Sequence, residues 1–227
     1  MTRFKTMEEL TALARLNLTN TSALNWATVL GVVERCLPVL LRFWCHRRER
    51  YSYENLRFDL SLTLHDAAGR QATLRRTQSV RFRTAEAGIV RDVVWGEGEQ
   101  FADYCVSGAD LVGVRNEGPN KVALLDIHRR PAINERAELA IDRLIKGGFL
   151  QPREYIETEL ERPTKLLRLK VGFPRGCTPR AARVELSPPS RSSVAVPVEL
   201  DASGRPELSW STKHPLQNTR YRLVWSW

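Results

Sequence analysis

LRFDLSLTLH, residues 56–65, is the stretch whose reading decides the fold. Leu56, Phe58, Leu60, Leu62 and Leu64 alternate strictly with Arg57, Asp59, Ser61, Thr63 and His65. Successive side chains of a β-strand point to opposite faces, so this pattern predicts a strand with one face buried and the other wet. Ala67-Ala68-Gly69 reads as a turn, and a second strand follows over about 71–84, with Ala72, Leu74, Val80 and Phe82 sharing one face. Together the two runs predict a long antiparallel hairpin.

Working outward toward the C-terminus, Ile89 to Trp95 predicts a third strand closed by Gly96-Glu97-Gly98, and shorter strands are expected at 101–106, 109–115 and 121–128. Residues 136–149 admit two readings. Ala137, Ala140, Ile141 and Leu144 fit a helix, whereas Leu139, Ile141 and Ile145 fit a strand. Pro131 before and Gly147-Gly148 after bracket a short element and favour the strand. Farther on, alternation returns at Leu167/Leu169/Val171/Phe173, Ala182/Val184/Leu186, Val194/Val196/Val198/Leu200 and Tyr221/Leu223/Trp225/Trp227. Pro- and Gly-bearing turns separate these runs at intervals of about 8–12 residues, the spacing of a sandwich.

Toward the N-terminus the period changes. Leu10, Leu13, Ala14 and Leu18 have helical spacing after a capping candidate at Thr6, with Glu9 three residues on. A second helix is expected from about residue 22 to 48, kinked at Pro38. Its apolar run, Ala23 to Trp44, is long enough to span a bilayer. Glu34 and Arg35 stand at its middle, however, where each would cost about 3 kcal/mol. The helix therefore reads as buried or partner-facing, with Trp26, Val29, Leu30, Val33, Leu37, Leu40, Leu41 and Trp44 as its docking residues, and no membrane partner is expected. The predicted class is mainly β, α+β overall: a helical segment over 1–50, an antiparallel β region over 51–130 and a sandwich-like region over 131–227, the last two allowed to form one continuous domain.

Composition bounds the function. Lys and Arg number 35 against 26 Asp and Glu, a net charge of +9, which favours acidic partners and says nothing about fold. Cys36, Cys45, Cys105 and Cys177 are widely spaced with no Cys-x-x-Cys, so they read as free, mostly buried thiols of a cytoplasmic protein rather than zinc ligands. His46, His65, His128 and His214 have no paired spacing. Neither a metal site nor a cofactor is predicted.

Two constellations carry chemistry. Asp110 and Asp126 sit in apolar runs with the spacing of a magnesium-dependent nuclease of the PD-(D/E)xK type, but His128 stands where the lysine belongs and no proline precedes Asp110. The ordinary alternative is a solvated acidic pair on a hairpin. The second constellation is a face of guanidinium groups: with the apolar side of the first hairpin inward, Arg57, Arg75, Arg81 and Arg83 point outward, with Arg70 and Arg76 near them. Such a face can bind an acidic ligand through bidentate hydrogen bonds; the ordinary alternative is a solvated face with cross-strand partners, since Asp59 and Glu86 are close in sequence. No aromatic residues interleave with it to stack bases. Tyr221, Trp225 and Trp227 read as sandwich core.

The segments Arg162-Pro163-Thr164-Lys165, Lys170-Val171-Gly172-Phe173-Pro174, His214-Pro215 and Tyr221-Arg222-Leu223-Val224-Trp225-Ser226-Trp227, with Val94-Trp95-Gly96-Glu97-Gly98 upstream, carry a family resemblance. Over residues 53–227 the chain resembles uncharacterised β-rich accessory modules of bacterial proteins that accompany caspase-like peptidases and other conflict or signalling effectors. Those modules bring no catalytic residues to carry over. The resemblance implies a regulatory part of a bacterial defence or signalling system. The functional expectation is thus a non-enzymatic interaction module that binds a protein partner and an acidic ligand, with the nuclease, or nucleic-acid binding, as the alternative.

Overall fold

The structure is a computed structural model that describes residues 51–85, 89–94, 99–118, 120–127, 131–187 and 192–227. The predicted N-terminal helices and all eight of their docking residues, from Trp26 to Trp44, lie outside the described residues, as do Cys36, Cys45 and His128. Tyr51 to Trp227 form one compact unit.

The described residues of that unit form fourteen strands: β1 (Tyr53–Leu64), β2 (Gln71–Phe82), β3 (Ile89–Val94), β4 (Glu99–Ser107), β5 (Asp110–Glu117), β6 (Asn120–Asp126), β7 (Arg136–Lys146), β8 (Arg153–Glu159), β9 (Leu166–Gly172), β10 (Ala181–Ser187), β11 (Ser192–Ala195), β12 (Val198–Leu200), β13 (Pro206–Lys213) and β14 (Arg220–Ser226). They form a seven-stranded sheet in the order β12-β13-β9-β1-β2-β7-β4, a four-stranded sheet β11-β10-β14-β8 and a three-stranded sheet β3-β6-β5. The large sheet is mixed, because β1 pairs with β9 in parallel, Leu60 opposite Leu169. Alternation cannot show strand direction, which is why antiparallel pairing throughout was the sequence expectation.

The β1–β2 hairpin aligns Leu62 with Leu74 and Leu64 with Ala72. Its turn is held by Asp66, whose carboxylate accepts the backbone N–H groups of Ala68 and Gln71 at 2.9 Å and Arg70 at 3.2 Å. Gly69 adopts φ 66°, and a Cβ there would stand 1.8 Å from the Phe149 carbonyl oxygen, so only glycine fits.

Both small sheets cover the same face of the large one. The first core joins Phe58, Leu60, Leu62, Leu64 and Leu74 to Ile156, Tyr221, Leu223 and Trp225 of the four-stranded sheet. Tyr221 and Trp225 are 2% and 1% exposed, and the Trp225 ring meets the Phe173 ring edge-on at 5.9 Å. The second core joins Tyr53, Val80, Phe82, Leu139 and Ile141 to Val90, Ala123 and Leu125 of the three-stranded sheet. Hydrophobic burial on this scale, about 1.5–3 kcal/mol for each large side chain, closes two sandwiches side by side on one backing sheet. Residues 136–146 form a strand. Strand β8 has no counterpart in the sequence expectation: it buries Glu154 and Thr158 beside Ile156, so its inner face lacks apolar alternation.

Candidate functional site: a polar cleft between the two sandwiches

Two sheets standing on one face of a third leave a seam, and the side chains on the floor of that seam are polar. On β2 the inward positions run Ala72, Leu74, Arg76, Gln78, Val80, Phe82, so that two polar residues interrupt an apolar face at its middle. On β7, Arg143 takes an inward position between Ile141 and Ile145, and on β3, Asp92 does so between Val90 and Val94. These interruptions converge. Arg76 donates through Nη1 to Asp92 Oδ1, through Nη2 to Gln78 Oε1 at 2.6 Å, and to the Arg91 carbonyl at 3.3 Å. Gln78 donates to Asn55, whose Nδ2 reaches Thr164 Oγ1 at 3.0 Å. Tyr104 OH donates to the second Asp92 oxygen at 2.9 Å. A continuous hydrogen-bonded chain thus runs from Thr164 to Tyr104 beneath the seam.

Burial perturbs its members. Desolvation raises the Tyr104 phenol far above its ordinary range, and the Asp92 charge adds to the effect. Desolvation also pushes the Arg143 guanidinium down, with Asp92 and Tyr104 pulling the other way. Above this floor lies a cleft of about 410 Å³. Arg91, Val93, Glu117 and Asn120 form one wall, and Glu157 to Arg162 with Arg220 form the other. Arg91 ties the walls together, 2.7 Å from Glu117 and 3.7 Å from Glu161. Arg220 meets Glu159 at 3.2 Å and lies 3.9 Å from Glu157. Arg162 makes no ion pair among the described residues and instead stacks over the Tyr51 and Tyr53 rings, at 5.3 and 5.2 Å. Each of the other rim cations already holds a carboxylate. The lining therefore offers fixed hydrogen-bond donors and acceptors in plenty, and its glutamates are ion-paired.

The arginines expected to bind an acidic ligand lie elsewhere, on the far face of the large sheet and at its margin, and each is paired. Arg57 meets Asp59; Arg75 lies 3.7 Å from Asp142; Arg81 and Arg83 share Glu54. Burial works to raise the Glu54 pKa, but the hydrogen bonds and charges of Arg83 and Arg81 outweigh it and hold the carboxyl below its ordinary value. Arg76, placed near that face by the sequence, points the opposite way into the seam, because even-numbered positions of β2 face inward. The thiol expectation needs correction as well: Cys105 is exposed and Cys177 half-buried, both free.

Asp110 and Asp126 stand directly opposite one another across the β5–β6 pair. The structure does bring the two nuclease candidates together. Among the described residues, no group of three or more His, Cys, Asp and Glu side chains is arranged to hold a metal ion, and no helix is long and apolar enough to cross a membrane.

No protein-family model and no curated protein matches the chain. Solved structures with a partly similar course of the chain include a Parabacteroides distasonis protein described as a protease, 13% identical with a TM-score of 0.48 over 78% of this chain and 40% of that one. An M1 zinc metallopeptidase from Deinococcus radiodurans is 15% identical with a TM-score of 0.42, covering 76% of this chain and 42% of its own. Yeast LTA4 hydrolase bound to bestatin is 9% identical with a TM-score of 0.43, over 76% and 28%. The chain spans less than half the length of each. At these scores the likeness implies nothing about what the chain does.

Proposed function

We propose that residues 51–227 form a non-enzymatic binding module, and that the cleft between the two sandwiches receives an extended acidic segment of a protein partner. The observation that carries this reading is Arg162: a guanidinium at the cleft rim, oriented by two tyrosine rings and without a carboxylate of its own, while the neighbouring cations are already neutralised. Cation–π stacking fixes such a group in place and leaves its donors free for a ligand carboxylate. The resemblance to accessory modules of bacterial effector systems supports the same class of function, in which binding and not turnover is the activity.

The test uses the full chain and fluorescein-labelled decapeptides, one rich in Asp and Glu and one rich in Lys. Anisotropy is expected to report binding of the acidic peptide alone, weakened at least about tenfold by Arg162→Glu, with a salt dependence shallower than that of a polyphosphate ligand. Equal binding of both peptides, or no effect of Arg162→Glu, refutes the assignment. The direct opposition of Asp110 and Asp126 supports a second reading, the magnesium-dependent nuclease. Cleavage of DNA or RNA that needs magnesium and disappears in Asp126→Ala would establish it in place of the first.

A further inference from the structure

Beneath the cleft lies a smaller cavity of about 30 Å³, lined by Arg76, Asp92 and Arg143 together with apolar side chains, Glu157 and Thr158. Phe58, Arg76, Val93, Glu157 and Thr158 also line the cleft, so the two spaces adjoin. Arg143 is 5% exposed, and its Nε and Nη1 hydrogens, with the Nε hydrogen of Arg76, are buried without an acceptor. Charge is unbalanced in the same place. Asp92 is already committed to Arg76 and Tyr104, and Glu157 to Arg222 at 2.8 Å. Two guanidinium groups thus share one buried carboxylate.

A guanidinium does not shed its proton in a protein, and an uncompensated charge in a low-dielectric interior is strongly unfavourable. Water in the cavity could accept the orphan hydrogens but could not offset the charge. The volume suits one or two species of water size, by the criterion that about 10–15 Å³ is needed for each.

We propose that this cavity is a binding site for one small monovalent anion of halide size, held by Arg143 Nε and Nη1 and by Arg76 Nε. The site neutralises the second guanidinium and rigidifies the seam at which the two sandwiches meet the backing sheet. It does not rest on the acidic-segment reading of the cleft, since a free ion occupies it whether or not a partner is bound.

The experiment is thermal unfolding of the full chain while chloride replaces gluconate, an anion too large for the cavity, at constant ionic strength. The midpoint is expected to rise saturably, by about 3–6 °C at tenfold excess over the dissociation constant. Arg143→Met should abolish the rise, and Arg168→Met, which removes an exposed cation on the far face of the large sheet, should leave it intact. No response in the wild-type chain, or equal responses in the two variants, overturns the site. Should Arg143→Met fail to fold, bromide-soaked crystals of the wild-type chain decide the matter. An anomalous peak within hydrogen-bonding distance of Arg143 Nη1 supports the proposal, and water alone at that position overturns it.

Discussion

Replacing Asp92 by alanine should destabilise the β unit more than any change to an exposed ion pair, and the structure sets the size. The Asp92 side chain is 7% exposed and that of Arg76 11%. The substitution strands the buried Arg76 Nη1 donor and takes one acceptor from the part-buried Tyr104 OH. An unsatisfied buried group costs about 1–3 kcal/mol, and more when it is charged, as the guanidinium is. Breaking a buried charge pair by removing one partner gives about 3–5 kcal/mol by an independent route. A value near 4 kcal/mol is a large part of the total stability of a typical domain, about 5–15 kcal/mol. Asp92→Asn retains an acceptor for one donor and should cost roughly half as much. Arg76→Met combined with Asp92→Leu should recover only part of the loss, since the carboxylate that remains at the Arg143 cavity, Glu157, is already committed to Arg222. The assay is urea unfolding followed by far-ultraviolet circular dichroism, in which the midpoint should fall and the slope stay constant. Arg75→Ser, in a pair whose side chains are 61% and 42% exposed, provides the comparison at about 0–1 kcal/mol. A cost for Asp92→Ala within that same range would refute the claim that the seam rests on this network.

Two further outcomes follow from local geometry. Gly108 has φ 83°, and a Cβ there would lie 2.1 Å from the Glu138 carbonyl oxygen; Gly108→Ala should therefore cost well beyond the about 1–2 kcal/mol of a left-handed alanine, whereas Gly147→Ala, at φ 69° with nothing within 4 Å, should cost only that, both read as urea midpoints. Because Arg83 and Arg81 outweigh burial and hold the Glu54 carboxyl below its ordinary pKa, Glu54 contributes stability that is present above that ordinary value and is lost as pH falls through the lower folded value; Glu54→Gln should flatten the acid limb of a stability–pH profile, and an unchanged limb would show that the carboxyl is not perturbed.

Much of the architecture was legible because β alternation is a local property. Each of the runs 56–64, 167–173 and 221–227 states in its own residues which side is buried, and the large aromatic residues at Tyr221 and Trp225 fall where that rule puts them. Pairing partners and direction are not local. Nothing within Leu166–Gly172 reveals that it lies parallel to β1, over a hundred residues earlier, or that two small sheets share one backing sheet. The pairing of the arginine face was legible only in part. Asp59, which meets Arg57, stands two residues away on the same strand, whereas Glu54 becomes the neighbour of Arg81 and Arg83 only through the β1–β2 register.

The cleft nonetheless left a mark in the sequence, of a kind opposite to the one that reveals strands. Once alternation has assigned an inward face, a polar residue on that face must find buried partners or cost about 1–3 kcal/mol or more. Arg76 and Gln78 on β2, Arg143 on β7 and Asp92 on β3 each interrupt an apolar inward series, and Glu154 and Thr158 do the same on β8. An isolated interruption is uninformative. Several, of both charge signs and on strands that belong to one domain, imply that the polar positions meet one another, since an apolar neighbour cannot satisfy them. Arg76, Gln78 and Asp92 do meet, with Arg143 beside them at the same cavity, where one core ends and the next begins. The interruptions in β2, β3 and β7 thus locate the seam between the sandwiches before any strand is paired, and the excess of arginine over aspartate there gives the seam its affinity for a negative charge.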